Sequence, residues 1–399
     1  MTRHLEGQLP PPVGRPQAVV LMLLSLRSPW LVEFGRALAR QADLTTYSPV
    51  VSWIGRLRQA ETSRGLPGCD AAVRCFPLQR GYFSGRVARF VGEDGRILRR
   101  LESGCARPGD VPLVLSLPHY AKVAEKWPGP VVYYATDLFR HYAHWDYEHI
   151  RSLESRICRR AALVCPNSHR IAAVFTREYG CDPRKIRVLP NGVRSENLLA
   201  EPAVRAAGLP ADAADLRRPV AGVIGNLGAN TDWVMLEEAV NRAPWLSWLF
   251  VGPYTDAIDA PEDAEARTRL LNTRGDRLRF VGRKEPGELR EYARGMDVAV
   301  LPYRKVEPTF SGSSTRFYEH LAAGRPMVSS RGFEELLHKE PLTYLAEDGA
   351  TLVAHLESLR GCGFVDGHEE LRWAQSRMET WDARAELMLK GLKDSEYSA

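Results

Sequence analysis

The chain is predicted to be an α/β protein of two Rossmann-like domains, each built on a doubly wound parallel sheet. Two observations carry this. Short apolar runs alternate with helical patterns along most of the 399 residues, as a parallel sheet with crossover helices requires. That series also stops and restarts. A turn signal, Pro190-Asn191-Gly192-Val193, leads into an Ala/Pro/Asp-rich stretch over 197–219, after which a second strand–helix alternation begins. The length suits two domains with separate cores. The boundary is placed near Val193, giving domains 1–193 and 194–377.

Residues 1–16 are polar and Pro-rich and read as a loose tail without the apolar segment of a signal peptide. Residues 18–24 (AVVLMLL) are apolar on both faces, the pattern of a buried parallel strand. Residues 25–28 form a loop. Pro29 then opens a helix to about Gln41 with Trp30, Leu31, Phe34 and Leu38 on one face. Further strands are expected at 44–47, 72–76, 111–115, 131–135, 162–165 and 186–189. Residues 82–101 interleave Phe83, Val87, Phe90 and Leu101 with five arginines. They fit a helix covering the sheet, or a basic amphipathic surface for anionic lipid.

The second half expects strands at 220–224, 248–251, 278–281, 297–301 and 326–329. Thr231 is expected to cap a helix running to about Ala243. Other helices are expected at about 261–271, from Pro286 to near Gly295, and as one piece over 373–392. Within 307–330 a Gly/Ser loop leads to a helix capped by Ser313 or Ser314 and stopped by Gly324 and Pro326.

Composition excludes several classes. With 44% hydrophobic residues and a net charge of +5 the chain reads as globular, open to anionic partners. No apolar run reaches the roughly 18–20 residues of a membrane span. The seven cysteines show no C-x-x-C pair, so reduced thiols in a cytoplasmic protein are expected, with no metal site. No nucleic-acid motif is present. Gly222, Gly225 and Gly228 do not make the G-x-G-x-x-G fingerprint, which argues against a dinucleotide enzyme.

Two places could carry chemistry. Arg316 falls in the first turn of the 307–330 helix, where free N–H groups and a guanidinium would suit a diphosphate. Glu319, one turn on, could accept from a ribose, or the two could simply form an i,i+3 ion pair. Asp137 follows the strand at 131–135, on the side where ligands of open α/β sheets bind. It could be a general base or a helix cap. His119, His141 and His144 are further bases or ordinary packing histidines.

Several segments resemble GT-B glycosyltransferases, most of all bacterial envelope and exopolysaccharide enzymes such as the teichuronic-acid-type transferases and the xanthan glucuronosyltransferase. Residues 318–328 (YEHLAAGRPMV) resemble the E-A-x-A-x-G-x-P-V helix and strand, and Ser313-Ser314-Thr315-Arg316 resembles an S-S-x-K element. Ala135-Thr136-Asp137-Leu138 resembles A-S-D-G-L, and residues 380–386 (TWDARAE) resemble the last helix crossing back to the first domain. The likeness covers most of the chain and is strongest over 189–330.

It implies a hexosyltransferase using a nucleotide-sugar, UDP-sugar favoured, without metal or other cofactor. The 194–377 domain would bind the donor. Arg316 would meet the diphosphate together with Ser313, Ser314 and Thr315, and Glu319 would meet the ribose. Arg283 and Lys284 would lie near the nucleobase, with Tyr303, Gly225, Asn226 and Leu227 completing the pocket. The 1–193 domain, joined by residues 378–399, would take the acceptor, with Asp137 as base and His119 and His141 nearby. Many retaining relatives carry a Glu where this chain has Ser311, eight positions before Glu319, so inversion is preferred over retention. A nucleotide-sugar 2-epimerase and a non-catalytic binding protein are the alternatives. The acceptor would be a glycan, a lipid-linked compound or a small molecule, met in the cytoplasm or at the inner face of its membrane through peripheral contact.

Overall fold

Runs of Val, Leu, Ile and Tyr that are apolar on both faces can be covered only by helices on both sides of a sheet. The computed structural model, which describes residues 18–22, 28–52, 62–65, 72–79, 81–84, 92–254, 258, 260–273, 275–307 and 309–396, builds two such sheets. In chain order the first half contains β1 (Ala18–Met22), α1 (Pro29–Ala39), β2 (Asp43–Ser52), β3 (Thr62–Gly65), β4 (Ala72–Gln79), α2 (Glu93–Ser103), β5 (Leu113–Leu115), α3 (Ala121–Lys126), β6 (Val131–Ala135), α4 (Tyr147–Arg160), β7 (Leu163–Pro166) and α5 (His169–Tyr179). The sheet order is β3-β4-β2-β1-β5-β6-β7. All pairs are parallel except the edge pair β3–β4.

The second half contains β8 (Val220–Ile224), α6 (Trp233–Arg242), β9 (Ser247–Val251), α7 (Pro261–Asn272), β10 (Leu278–Phe280), α8 (Leu289–Gly295), β11 (Val298–Leu301), α9 (Thr315–Ala323), β12 (Met327–Ser330), β13 (Tyr344–Ala346), α10 (Gly349–Gly361), α11 (Glu369–Met378) and α12 (Trp381–Glu396). Its sheet, β10-β9-β8-β11-β12-β13, is parallel throughout. The strand order reverses between β8 and β11. A crevice opens beyond the strand ends at such a point.

α12 leaves the second sheet and covers the first. Trp381, Ala385, Met388 and Leu392 are buried with Phe34 and Leu38 of α1 and Leu163 of β7. Arg40 and Asp382 pair at 2.6 Å across this contact.

The structure corrects four local expectations. Residues 186–189 do not form a strand: one bridge joins Ile186 to Val164. The Arg187 and Leu189 amides donate to the Val164 and Pro166 carbonyls, but Pro166 has no N–H to return the next bond. The helix expected over 373–392 is broken at Glu379–Thr380. There the Val193 amide takes the Glu379 carbonyl at 2.7 Å, and the Trp381 amide donates to the Val193 carbonyl at 3.0 Å. Gly192 allows this approach, since a Cβ there would lie 2.7 Å from the Trp381 nitrogen. α6 is capped by Asp232, which accepts from the Met235 amide, and not by Thr231. Thr231 is tied into a bridge with Tyr303. The helix expected from Pro286 begins at Leu289, and the short edge strands β3 and β13 went unanticipated.

Residues 1–16, 23–27 and 85–91, on which the tail, part of the first strand and loop, and much of the basic amphipathic segment were read, lie outside the described residues. Of that segment α2 is described, with Ile97 and Leu101 buried.

Candidate active site

β6 is buried along its whole length and delivers Thr136 and Asp137 beyond its C-terminal end. Asp137 does not cap the next helix: Asp146 caps α4, accepting from the His149 amide at 2.7 Å. The Asp137 carboxyl instead accepts hydrogen bonds from the Tyr142 hydroxyl and, at 3.5 Å, from Thr136 Oγ1. Burial outweighs both bonds and raises it from the ordinary aspartate range to about 7. A carboxyl so poised can take a proton near neutral pH.

Asp137 lines two cavities. The larger, about 650 Å³, lies in the first domain and is lined by Trp30, Phe83, Phe139, Tyr142, His144 and Trp145 as well as Asp137. The smaller, about 180 Å³, runs between the halves, with Asn167 and Asn191 on one side and Asn230, Ser313 and Thr315 on the other. His119 and His141 line neither cavity. His119 is buried behind the aromatic wall, 4.6 Å from the Trp145 ring and 5.3 Å from Phe83. Burial pushes it down to about 4, so it is neutral at pH 7. His141 sits beside Arg140 and the Tyr147 ring, and burial lowers it too. His144 is the histidine at the larger cavity.

The far side of the smaller cavity is the start of α9. Ser314 caps the helix, accepting from the Phe317 amide at 3.2 Å. Its own amide donates to Glu335 at 3.0 Å, and its hydroxyl lies 2.7 Å from that of Tyr303. The helix start is therefore less open to an anion than its sequence implied, because Ser314 and Glu335 already take two of its amides. Asn191 joins the halves here. Its amide group donates to the Ser313 carbonyl at 2.7 Å and to Thr315 Oγ1 at 3.1 Å, while its backbone N–H donates to Ser313 Oγ. Nearby, Ser168 Oγ donates to the Ser311 carbonyl at 2.5 Å and Arg170 pairs with Glu307 at 3.0 Å.

Arg316 enters the crevice at the end of β8. Its guanidinium lies 4.9 Å from the Tyr303 ring centre, and Nη2 donates to the Asn226 carbonyl. Nη1 is buried and has no hydrogen-bond partner among the described residues. An unpaired buried guanidinium nitrogen is costly, and an anionic ligand would satisfy it. The glycine loop makes the room: a Cβ on Gly225 would lie 2.3 Å from Arg316 Nε, and Gly225 itself has φ +127°. Gly252 packs against Gly225, and its amide donates to the Gly282 carbonyl at 2.8 Å. The turns after β8, β9 and β10 thus meet one another at Gly225, Gly252 and Gly282, and Gly225 lies against Arg316.

Other expected donor residues are placed differently. Glu319 makes no pair with Arg316. It faces the hinge, 3.3 Å from Arg194 and 2.9 Å from the Asn197 amide nitrogen, and Arg194 also pairs with Glu33 at 3.1 Å. The hinge partners leave some acceptor capacity on that carboxylate for a ribose. Leu227 is fully buried in the core of the second domain, because its loop turns inward to bond the Pro253 carbonyl. Lys284 is held by Asp212 of the linker at 2.6 Å and lies over the Tyr292 ring. Arg283 is exposed beside Gly282. Tyr303 supports Ser314 and Arg316 from beneath. The sequence reading missed Tyr142, Asn191 and Arg194. Of these only Asn191 stood in a motif, where it read as a turn residue.

Among the described residues no group of three or more His, Cys, Asp or Glu is placed to hold a metal ion, and no helix is long and apolar enough to cross a membrane.

Two Rossmann-like sheets joined across a cleft, with the last helix returning to the first, define the GT-B class. Residues 30–197 match the model of Glycosyltransferase Family 4, and residues 218–360 match that of Glycosyl transferases group 1. The chain has the GT-B fold, and its two halves each match a glycosyltransferase family model.

The putative teichuronic acid biosynthesis glycosyltransferase TuaH of Bacillus subtilis (strain 168) is 23% identical to this chain over 244 residues. That match spans 60% of this chain and 59% of the relative. Among solved structures, Anabaena Alr3699/HepE in complex with UDP and glucose superposes with a TM-score of 0.69 at 14% identity, covering 95% of this chain and 100% of that one. Sucrose-phosphate synthase from Thermosynechococcus elongatus gives 0.71 at 16% identity, covering 96% and 100%. At these identities the likeness shows the fold.

Proposed function

We propose that the chain transfers a hexosyl group from a nucleotide-diphosphate sugar, UDP-sugar favoured, to an acceptor hydroxyl with inversion at the anomeric carbon. The observation that carries this reading is the position of Asp137, shared by a cavity of the first domain and a cavity that reaches the start of α9. Two cavities that share Asp137 in their linings suit two substrates, which neither a 2-epimerase nor a simple binding protein needs.

In the reading, the diphosphate lies against Arg316, whose unpartnered Nη1 supplies the counter-charge that a metal supplies in other sugar transferases. Asp137 takes the acceptor hydroxyl proton. The acceptor oxygen bonds to the anomeric carbon while the bond to the diphosphate oxygen breaks, and its electron pair leaves with the diphosphate. Ser311 supplies no carboxylate for a retaining route. Likeness to TuaH and to the Anabaena protein bound to UDP supports the donor class and a role in envelope polysaccharide synthesis.

The test is UDP release from UDP-sugars by wild type and Asp137→Asn. A fall in kcat of about 10²-fold or more is expected. Unchanged turnover would remove Asp137 as the base, and a product with the donor's anomeric configuration, read by NMR, would remove inversion.

A further inference from the structure

The larger cavity presents an aromatic wall to the Asp137 carboxyl. Trp30 comes from the first turn of α1, Phe83 from the turn Tyr82–Ser84, and Phe139, Tyr142, His144 and Trp145 from the segment between β6 and α4. The rings brace one another: Phe139 and Trp145 lie 5.7 Å apart, Tyr142 and Trp145 5.4 Å, and His144 and Trp145 4.9 Å. Behind them the neutral His119 ring meets both Phe83 and Trp145. Among the described lining residues none is Lys or Arg, and the hydroxyl-bearing ones are Ser28, Thr136 and Tyr142.

We propose that this cavity takes a neutral acceptor built on a flat ring with an apolar face, seated against the aromatic wall with its hydroxyl at the Asp137 carboxyl. The inference rests on the glycosyltransferase reading and names the acceptor class. A phosphate or carboxylate on the part of the acceptor inside the cavity would meet the Asp137 carboxyl with no lining cation among the described residues to offset it. A ring face stacks on Trp and Phe with few hydrogen bonds to satisfy. The volume of about 650 Å³ lies within the range of small-molecule sites. Two sources share this chemistry: an aromatic alcohol, and the C–H face of a neutral pyranose.

The experiment is a thermal-shift titration of the full chain, with and without UDP. The probes are 2-naphthol, methyl β-D-glucopyranoside and glucose 1-phosphate. A rise in midpoint with 2-naphthol or with the glucoside, and none with glucose 1-phosphate, is the expected result. Which of the two neutral probes acts assigns the source. Trp145→Ala should raise the Kd of the active probe about tenfold. Should that variant not fold, His144→Arg at the exposed rim should confer a shift with glucose 1-phosphate that wild type lacks. A larger shift with glucose 1-phosphate in wild type, or no shift with either neutral probe in a protein that does bind UDP, overturns the proposal. A shift with the neutral probes but none with UDP counts against the donor reading alone.

Discussion

Among the described residues, Asp137 and Glu154 are the two carboxyls of the first domain that burial raises to about 7, and they differ in what surrounds them. Asp137 opens onto two cavities, whereas Glu154 is fully buried and accepts from Tyr133 at 3.0 Å and Tyr179 at 2.9 Å. For Asp137 as base, kcat/KM should climb with pH and level off above about 7, because only the carboxylate takes a proton. A flat profile from pH 5 to 8 would count against it. For Glu154 the consequence is stability. Its folded value exceeds the ordinary 4.5, so the folded state holds the proton more tightly than the unfolded chain. That stabilisation is full below the unfolded value and is lost as pH rises through about 7. Glu154→Gln, whose amide can still bond both tyrosines, should remove roughly 3 kcal/mol of the loss between pH 4 and 8. Denaturant melts across that range check it. Asp137 announced itself by following an apolar strand. Tyr142 did not, because a tyrosine in a loop carries no signal of the carboxyl it will meet.

The turns that end the strands of the second sheet set the shape of the crevice. Gly225 leaves β8 with φ +127° directly against Arg316. Gly225→Ala would strain the backbone and push the guanidinium aside, so UDP affinity should fall at least tenfold; wild-type affinity in a calorimetric titration would contradict this. The element scale is where sequence and structure agree best. The Ser314 cap, the Gly324 stop and the buried runs of β6, β8 and β11 follow from local chemistry. The failures are tertiary. Val193 inserts its peptide groups between Glu379 and Trp381 and splits one helical pattern into α11 and α12. Leu227 turns into the core because its amide finds Pro253. Neither event leaves a periodicity to read.

Across the whole molecule, the halves are fastened by buried polar contacts at the hinge and by the apolar face of α12. Arg194, 6% exposed, bridges Glu33 of α1 and Glu319 of α9. Arg194→Ala would leave the largely buried Glu319 without its cation, bonded among the described residues to the Asn197 amide alone, and Glu33 with Arg36 only, so a loss of about 3 kcal/mol is expected in a denaturant melt. A variant as stable as wild type would mean that the hinge is held elsewhere. The hinge was not legible because its three charges lie far apart in sequence on separate elements.

In the proposed function the diphosphate of a nucleotide lies on the buried guanidinium of Arg316. Isothermal titration of UDP in excess EDTA, into wild type and Arg316→Ala, reads that claim without needing the acceptor. The result expected is metal-free binding by wild type and a loss of about tenfold or more in the variant, as a charge-assisted pair of roughly 1.5–3 kcal/mol implies. Equal affinity in both proteins, or no UDP binding by a folded wild type, would contradict it.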